Sequence, residues 1–399
     1  MINILTRQAF SYLESHRHST AKGTLKFAVL IFLLLLTGSS QTQISTSWEQ
    51  VGGDILGDSG SEAGRTIALS KDGLVVAFGA YKFLHTPTVG YRGHVRVYNY
   101  NSASDQWIKR GGDIVGTDVG ANMGQGVALN GDGTIVACGA YNQGIGGEVQ
   151  VFQWESGSWH QKGSNLTTTI TDGHFGDVVA LSYNGSILAA TERGGTSNPF
   201  NVHIYQWSGT DWLSLGSPIT GEDTTDSSNF VSLDASGTTV AIGSPQHNYV
   251  TGNARVFDWN GSAWLQIGST IDGTRMLESC GFSLSLSGDG RTIAVGSNTY
   301  GIDINTDSDG RVRVFEYSDG GNDWTQKGPH LLGERSNDRF GQSTMLSTDG
   351  STVAVGSRLK DVGGHESGAA YVYAYNAFNL SWYQVGPEID GEDAGEKQV

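Results

Sequence analysis

The amino-acid sequence predicts an all-β fold, a β-propeller of four-stranded antiparallel blades. Three observations predict this fold. A tryptophan stretch recurs at steps of 52 to 60 residues, at Trp48, Trp107, Trp159, Trp212, Trp264, Trp324 and Trp382. Each period contains four strand-like patterns separated by turn residues, and helical periodicity is absent after residue 40. Glycine accounts for 58 of 399 residues, as a chain with many tight turns requires.

Each period contains its four strand patterns in a fixed order. The first ends in Ile-Ala-Leu-Ser at 67–70, and the turn Asp72-Gly73 then closes a tight hairpin. The second, at 76–79, is apolar at consecutive positions, which is typical of a strand buried on both faces. The third, as at 310–317, alternates and ends in an aromatic residue, and the fourth is the tryptophan stretch. All ten tryptophans are therefore interpreted as structural.

Repeated four-stranded sheets bury their apolar faces by packing radially, as the blades of a propeller do. Six complete units run from about residue 60 to residue 386, and the stretch at Trp48 supplies one surplus fourth strand. Two closures are open, either six blades with one spare strand or a truncated copy of a seven-bladed ring. We predict six blades, in a propeller that spans residues 44–390 and precedes a tail at 391–399.

Residues 1–40 have the pattern of a secretory signal peptide. Four basic residues between Arg7 and Lys26 precede an apolar run at 27–36, and small residues follow up to Ser40. A bilayer span needs about 20 apolar residues, so this shorter run favours cleavage. We expect a secreted, extracellular protein with no membrane span after cleavage. The alternative is a signal-anchored protein with an extracellular propeller.

The remaining chain is acidic. Residues 1–40 hold four of the 24 Lys and Arg residues and one of the 40 Asp and Glu residues, so the rest carries 20 − 39, or −19. Such a surface repels nucleic acid and anionic lipid and favours cations or basic ligands, although the charge can also serve solubility alone.

The two cysteines occupy positions that other repeats fill with hydrophobic residues. Cys138 stands at the position of Val295, and Cys280 stands at the position of Phe340. Both are therefore predicted to be buried thiols that pack as small hydrophobic groups and form no disulfide.

Two dipeptides recur at fixed places in the units. The first strand carries Ala63-Gly64, Met123-Gly124, Phe175-Gly176, Cys280-Gly281 and Phe340-Gly341, and the second strand ends in Gly-Ala or Gly-Ser. In these motifs the units resemble the FG-GAP repeats of integrin α-chain propellers. The resemblance spans residues 44–390 and implies extracellular recognition. Members of that family carry a calcium cage in the first hairpin, but Leu69 and Val76 stand at ligand positions here, so the hairpin cages are interpreted as lost.

One loop is a candidate calcium site. Asp303, Asn305, Asp307 and Asp309 alternate between the second and third strands of the fifth unit, and Gly310 follows them. Calcium takes about six to eight oxygen ligands, which side chains at alternate positions can supply. The same residues are also ordinary loop composition, and the sequence requires no other cofactor.

Propeller topology predicts two different faces. The loop face carries the connections from a fourth strand to the next first strand and from a second to a third strand. The hairpin face carries the remaining turns. Acidic residues recur on the loop face, at Asp58, Asp118, Glu222, Asp223, Glu278, Glu334 and Asp338. Around the channel they would form a negative mouth for cations or basic ligands, and the alternative is a solvated loop surface.

Glycosylation sequons stand at Asn165, Asn184, Asn260 and Asn379, which fits secretion. The last three fall in turns of the predicted hairpin face, so glycans there would leave the loop face free.

The sequence contains no His-Glu-x-x-His, Gly-x-Ser-x-Gly or Gly-x-x-x-x-Gly-Lys motif. The leading hypothesis is a secreted, monomeric propeller that binds an extracellular protein, glycan or matrix component without catalysis of its own. One alternative is an extracellular glycoside hydrolase with a carboxylate pair across the channel. Another is a structural protein of a cell wall or matrix.

Overall fold

A computed structural model of the chain describes the backbone of residues 29–30 and residues 47–84, 90–193, 199–224, 226, 230–301, 309–335, 337–360 and 367–391. Their regular secondary structure is β-strand, apart from a single four-residue helical turn, α1 (His247–Val250). The predicted all-β class is therefore confirmed. The predicted signal peptide at 1–40 lies outside the described residues except for the backbone of 29–30.

Six sheets follow one another along the chain as the blades of a six-bladed propeller. Ahead of them, β1 (Val29–Leu30) pairs antiparallel with β2 (Gln50–Val51). Blade 1 has β3 (Ile67–Leu69), β4 (Val75–Ala80), β5 (His94–Asn101), β6 (Gln106–Lys109) and β7 (Ile114–Val115). Blade 2 has β8 (Met123–Leu129), β9 (Ile135–Ala140), β10 (Glu148–Glu155), β11 (Ser158–Gln161) and β12 (Leu166–Thr167). Blade 3 has β13 (Val179–Leu181), β14 (Ile187–Glu192), β15 (Asn201–Trp207), β16 (Trp212–Ser214) and β17 (Ile219–Thr220).

Blade 4 has β18 (Phe230–Leu233), β19 (Thr239–Ser244), β20 (Asn253–Trp259), β21 (Trp264–Gln266) and β22 (Ile271–Asp272). Blade 5 has β23 (Cys280–Leu286), β24 (Thr292–Ser297), β25 (Arg311–Ser318), β26 (Asp323–Gln326) and β27 (Leu331–Leu332). Blade 6 has β28 (Phe340–Leu346), β29 (Thr352–Ser357), β30 (Ala369–Asn376), β31 (Ser381–Gln384) and β32 (Ile389–Asp390). In every blade the strands pair antiparallel in chain order, and the short fifth segment continues the interrupted fourth strand along the third.

The hydrophobic core lies between the blades. The second strands are buried along their whole length, as their consecutive apolar residues predict. Their glycines allow the next blade to approach, because a Cβ on Gly139 would overlap the carbonyl oxygen of Gly176 in the following blade. The glycine of the Phe-Gly dipeptide is thus one half of a backbone contact that joins two sheets.

Each fourth-strand tryptophan joins its own blade to the preceding one. The tryptophan packs in a tilted arrangement against the aromatic residue that ends the third strand, as Trp264 does against Trp259 with ring centroids 5.4 Å apart. Its indole N–H donates to a carbonyl of the preceding fourth strand, as Trp264 Nε1 does to Leu215 O at 2.8 Å. Equivalent bonds are made by Trp107, Trp159, Trp212, Trp324 and Trp382. The repeating tryptophans therefore have a structural role in the outer rim.

The inner rim and the ring closure use different contacts. Backbone bonds run around the channel between the turns that follow the first strands, from Lys71 through Gly131, Tyr183, Ala235 and Gly288 to Thr348. Within the described residues no equivalent bond returns from Thr348 to Lys71. The surplus tryptophan stretch lies at this seam, where Trp48 packs on Ala354 and Val372 and donates to Pro387 O at 2.6 Å. Its Val51 carbonyl accepts from Trp107 of blade 1 at 3.0 Å.

Both cysteines are free and fully buried, as predicted. Cys138 packs between blades 1 and 2, whereas Cys280 packs between blades 4 and 5. Across the described part of the chain, no helix has the length and apolar character needed to span a bilayer.

Candidate ligand-binding face

The loop face of each blade is built from three parts. They are the loop that precedes the first strand, the loop that follows the second strand, and the first and third residues of the third strand. An acidic side chain of the preceding loop contacts His247 of the loop after the second strand in blade 4, Ser297 at the end of that strand in blade 5, and Lys360 of the loop after it in blade 6. The local chemistry differs from blade to blade, because the residues at equivalent positions differ.

In blade 5 the loop acid is Glu278, which is buried and fully bonded. One carboxylate oxygen accepts from the backbone N–H of Thr274 at 2.6 Å and of Arg275 at 3.1 Å. The other accepts from Ser297 Oγ at 3.0 Å and from the guanidinium of Arg311. Burial alone would raise the pKa of Glu278, but Arg311 and the Thr274 amide outweigh it and the pKa is lowered. The site in blade 5 therefore contains its own cation.

In blade 6 the loop carries two acids, Glu334 and Asp338, and the cation comes from Lys360. The Lys360 ammonium lies 3.0 Å from Glu334 Oε2 and also contacts Glu388 and the Tyr371 hydroxyl. Burial opposes the charged ammonium, but Glu388, Tyr371 and Glu334 together raise the pKa of Lys360 above its usual value. This site also contains its own cation.

Blade 4 has the same two acids but a different partner. Asp226 accepts from the backbone N–H of Glu222 at 2.7 Å and of Asp223 at 3.1 Å. His247 Nδ1 lies 2.7 Å from the second Asp226 oxygen. Asn253 Nδ2 donates to Glu222 Oε2 at 3.1 Å. His247, Glu222 and Asp226 place one ligand atom each within 4.8 Å of one another, which makes them a candidate metal-binding group.

The backbone that carries His247 is unusual. The three residues that follow it in α1, Asn248, Tyr249 and Val250, have φ values of 47°, 57° and 63°. A left-handed conformation costs a β-branched residue such as Val250 about 1 to 2 kcal/mol. It is held here by bonds from Ser279 N to Val250 O and from Gly252 N to His247 O.

Blades 1 and 3 satisfy their charges within the protein. In blade 1 Arg96 bridges Asp58 at 2.8 Å and Asp113 at 3.1 Å. In blade 3 the buried carboxylate of Glu192 accepts from Asn201 and Thr168 and lies 2.8 Å from His203 Nε2. Burial would raise the pKa of Glu192, but His203 and Thr168 lower it.

The seven acids predicted on the loop face fall into three groups. Glu278 and Asp338 are buried within the protein. Three others are exposed and contact a base, namely Asp58, Glu222 and Glu334. Asp118 and Asp223 are exposed. The structure therefore spreads these acids over several blades, and Asp58, Glu222, Glu278 and Glu334 each form an ion pair there.

Exposed apolar side chains are a second feature of the loop face. They are Leu56, Leu84, Tyr91, Val119, Ile145, Tyr249, Met276 and Leu277. Several are neighbours across blades, since Gly120 N donates to Tyr91 O at 2.6 Å and Ser279 N donates to Val250 O at 2.8 Å. Exposed apolar side chains that lie together often mark an interaction surface.

A cavity of about 220 Å³ lies at the opposite end of the channel, on the hairpin face. It is lined by one leucine from each blade, Leu69, Leu129, Leu181, Leu233, Leu286 and Leu346. The Lys71 ammonium lies 4.7 Å from the ring centroid of Tyr183 at this mouth. Polar residues, among them Ser70, Asn130 and Asp234, also line this mouth, so this end of the channel is of mixed polarity.

The remaining predicted sites are only partly described. Asp303, Asn305 and Asp307 lie outside the described residues, and Asp309 is buried. The sequon residues Asn165, Asn184, Asn260 and Asn379 are all exposed. Asn165 lies between β11 and β12, whereas the other three lie in turns of the hairpin face.

Sequence reasoning identified Glu222 but missed Asp226, His247 and Asn253. A comparison of equivalent positions would have revealed them. Asn253 pairs with Ser244 at the start of its third strand, just as Arg311 pairs with Ser297. The signal is a neutral residue, Asn253, at the position of Arg311, next to acids with the same spacing as in another repeat.

Comparison with known proteins supports the fold. Residues 333–373 match the FG-GAP repeat family. The chain is similar to the periplasmic gluconolactonase PpgL of Pseudomonas aeruginosa, at 14% identity and a TM-score of 0.61 over 98% of this chain and 96% of that one. It is also similar to a putative 6-phosphogluconolactonase of Bacteroides uniformis, at 12% identity and a TM-score of 0.57 over 82% of this chain and 85% of that one. No curated protein sequence matches the chain. The predicted FG-GAP-like propeller is therefore confirmed, and the similarity to the two structures is one of fold.

Proposed function

We propose, from the premise of an FG-GAP-like propeller of six blades, that this protein is a secreted recognition module whose loop face binds an extracellular partner. The observation that carries the proposal is the set of exposed apolar side chains on that face. Leu84, Tyr91 and Val119 belong to the loops of blades 1 and 2, and Tyr249, Met276 and Leu277 belong to those of blades 4 and 5.

The charges of the loop face support a binding role as well. Ion pairs such as Arg96 with Asp58 and Lys360 with Glu334 hold the loops in place, so the loops lose little conformational entropy on binding. Aliphatic side chains such as Val119 and Met276 gain most from a partner with its own apolar surface. A protein partner therefore fits better than a plain glycan. Glycans on Asn184, Asn260 and Asn379 would lie on the other face.

The test compares two double variants with the wild type on a glycan array and a panel of purified matrix proteins. Tyr249→Asn with Met276→Ser changes the loop face, and Asn accepts the left-handed backbone at 249. Leu213→Ser with Leu265→Ser removes equally exposed side chains from the outer strands. We expect the loop-face variant to lose at least ~10-fold in affinity for a hit, because central apolar contacts dominate interface energy. Equal loss in both variants would place the binding surface elsewhere.

The runner-up is a hydrolase, because the similar structures are named as lactonases and Glu222, Asp226 and His247 form a group of titratable side chains. Every array hit, and gluconolactone, is therefore also incubated with the protein and assayed for turnover. Turnover that disappears in Asp226→Asn would favour the hydrolase, and binding without turnover favours the recognition module.

A further inference from the structure

The candidate group in blade 4 differs from its counterpart in blade 5 by the loss of a cation. Arg311 in blade 5 donates to Glu278 and lies 3.2 Å from Thr274 Oγ1. Asn253 takes the place of Arg311 in blade 4, and Glu222 takes the place of Thr274, four residues before the loop acid. One positive charge is lost and one negative charge is gained at the same place in the fold.

A comparison with blade 6 also shows that blade 4 lacks a cation, here at the position of Lys360. Glu334 and Asp338 have the same spacing as Glu222 and Asp226. Lys360 stands three residues after Ser357, the last residue of the second strand, as His247 stands three residues after Ser244. Where blade 6 supplies an ammonium, blade 4 supplies an imidazole, which can coordinate a metal ion.

Two buried side-chain oxygens in blade 4 lack a hydrogen-bond partner. Asn253 and Ser244 are both 0% exposed and lie opposite each other in β20 and β19. Neither Asn253 Oδ1 nor Ser244 Oγ makes a hydrogen bond. In blade 5 the equivalent Ser297 hydroxyl donates to Glu278. Unsatisfied buried oxygens are rare in folded proteins, and they point here to a ligand that completes the site.

From these observations we propose that Glu222, Asp226 and His247 bind a divalent transition-metal cation of the zinc type, with the Asn253 side-chain oxygen as a further ligand. A half-turn of the Asn253 amide brings Oδ1 to the place that Nδ2 now occupies beside Glu222. Asp226 is already fixed by two backbone N–H groups. The side chain of Glu222 is 42% exposed and can move inward.

The ligand set and the spacing both favour this class of metal. Imidazole and carboxylate together suit zinc and its neighbours, whereas calcium prefers oxygen ligands alone. Zinc bonds of ~2.1 Å place ligand atoms ~3.4 Å apart, so the widest separation in the group, now within 4.8 Å, has to contract by up to about 1.4 Å. Arg255 lies 3.9 Å from Glu222 but donates to Thr220 O, and Asp226 has no Lys or Arg partner among the described ion pairs.

The experiment is a calorimetric titration of metal-free protein with zinc chloride, repeated with calcium chloride. The wild type is expected to bind one zinc ion and to show no matching heat with calcium. His247→Lys and Asn253→Arg reproduce blades 6 and 5, so both variants are expected to fold and to bind zinc at least ~10-fold more weakly. His330→Lys, which removes an exposed histidine of blade 5, is expected to bind as the wild type does.

Circular dichroism and the Tm of each metal-free variant establish that it is folded. Zinc should raise the Tm of the wild type but not the Tm of His247→Lys or Asn253→Arg. Three results would overturn the proposal. They are no zinc binding by the wild type, unchanged affinity in the folded His247→Lys and Asn253→Arg variants, and loss of binding in His330→Lys. The site does not depend on the partner proposed above, because the titration uses the protein alone.

Discussion

At the residue scale, the repeats show how one position takes different chemistry on a constant backbone. The first residue of the third strand is His94, Asn253 or Arg311 in blades 1, 4 and 5, and its strand partner is Ala80, Ser244 or Ser297. All are fully or nearly fully buried, so each polar group must find its partners inside the protein. In blade 5 this residue supplies the cation of the site, whereas in blade 6 the cation comes from Lys360 in the loop after the second strand.

His94 makes the stability of the protein sensitive to acid. It is 0% exposed, and burial, reinforced by the Arg96 guanidinium, lowers its pKa from 6.5 to about 4. Because the folded pKa lies below the unfolded value, the contribution of neutral His94 is complete above pH 6.5 and is lost as the pH falls towards 4. Relative to His94→Leu, the wild type should lose about 3 kcal/mol of unfolding free energy over this range. Urea unfolding at several pH values measures the difference, and parallel profiles would contradict the assignment.

Gly139 tests the backbone contact between blades. A Cβ at this position would overlap the Gly176 carbonyl oxygen, and backbone cannot move aside as a flexible side chain can. Gly139→Ala should therefore lower the free energy of unfolding by about 3 kcal/mol, the upper part of the usual range for overpacking. Gly320→Ala is the matched control, since nothing lies within 4 Å of its Cβ position. If urea unfolding shows the same small effect for both changes, the close contact is absent.

At the scale of elements, the fourth strand is short and depends on its tryptophan. Its neighbours along the strand are exposed, as Leu265 is beside Trp264. The indole N–H crosses to the preceding blade, and the ring packs on the end of its own third strand. The fourth strand is therefore held in place by one side chain that makes contacts in two blades.

Trp264→Ala removes both contacts of that side chain. Because the ring is half-buried, we expect a loss of about 3 kcal/mol, the lower end for a large aromatic residue. Leu265→Ala on the same strand is exposed and should change stability by less than about 0.5 kcal/mol. Thermal and urea unfolding of the two variants compare them directly. Equal effects would show that the tryptophan does not join the blades.

At the scale of the whole molecule, the ring is held by packing between blades and closed by a strand from outside the six blades. Trp48 and Val51 contact blade 6 and blade 1 on either side of the seam. The core clusters join neighbouring blades in pairs, so no covalent cross-link is needed to close the ring. The two cysteines lie in different clusters, on opposite sides of two intervening blades.

The thiols provide a test of this arrangement. Burial raises the pKa of both Cys138 and Cys280, so neither is a ready nucleophile in the folded protein. Ellman's reagent should find no reactive thiol in the native protein and two after unfolding in guanidinium chloride. Dithiothreitol should leave the Tm unchanged. A shortfall of thiols after unfolding would show that a disulfide contributes to the fold.

Much of the fold of this protein could be predicted from its sequence, because the same pattern of apolar and turn residues recurs in several units. Consecutive apolar residues at 76–79 and again in later units require burial on both faces, which only stacked sheets provide. The spacing of the tryptophans likewise indicates the blades. The sequence also located the loop face, since strand order alone decides on which side each connection lies.

Only the tertiary structure decided how charged residues are paired. Glu278 and Glu222 look alike in the sequence, yet one is buried against Arg311 and the other lies beside His247 and Asn253. These contacts join residues that are 21 to 33 positions apart in the chain, and their distance in space depends on register and loop length, which local patterns do not encode. Periodic burial is a local property of the chain, whereas the meeting of an acid with its partner is a property of the folded ring.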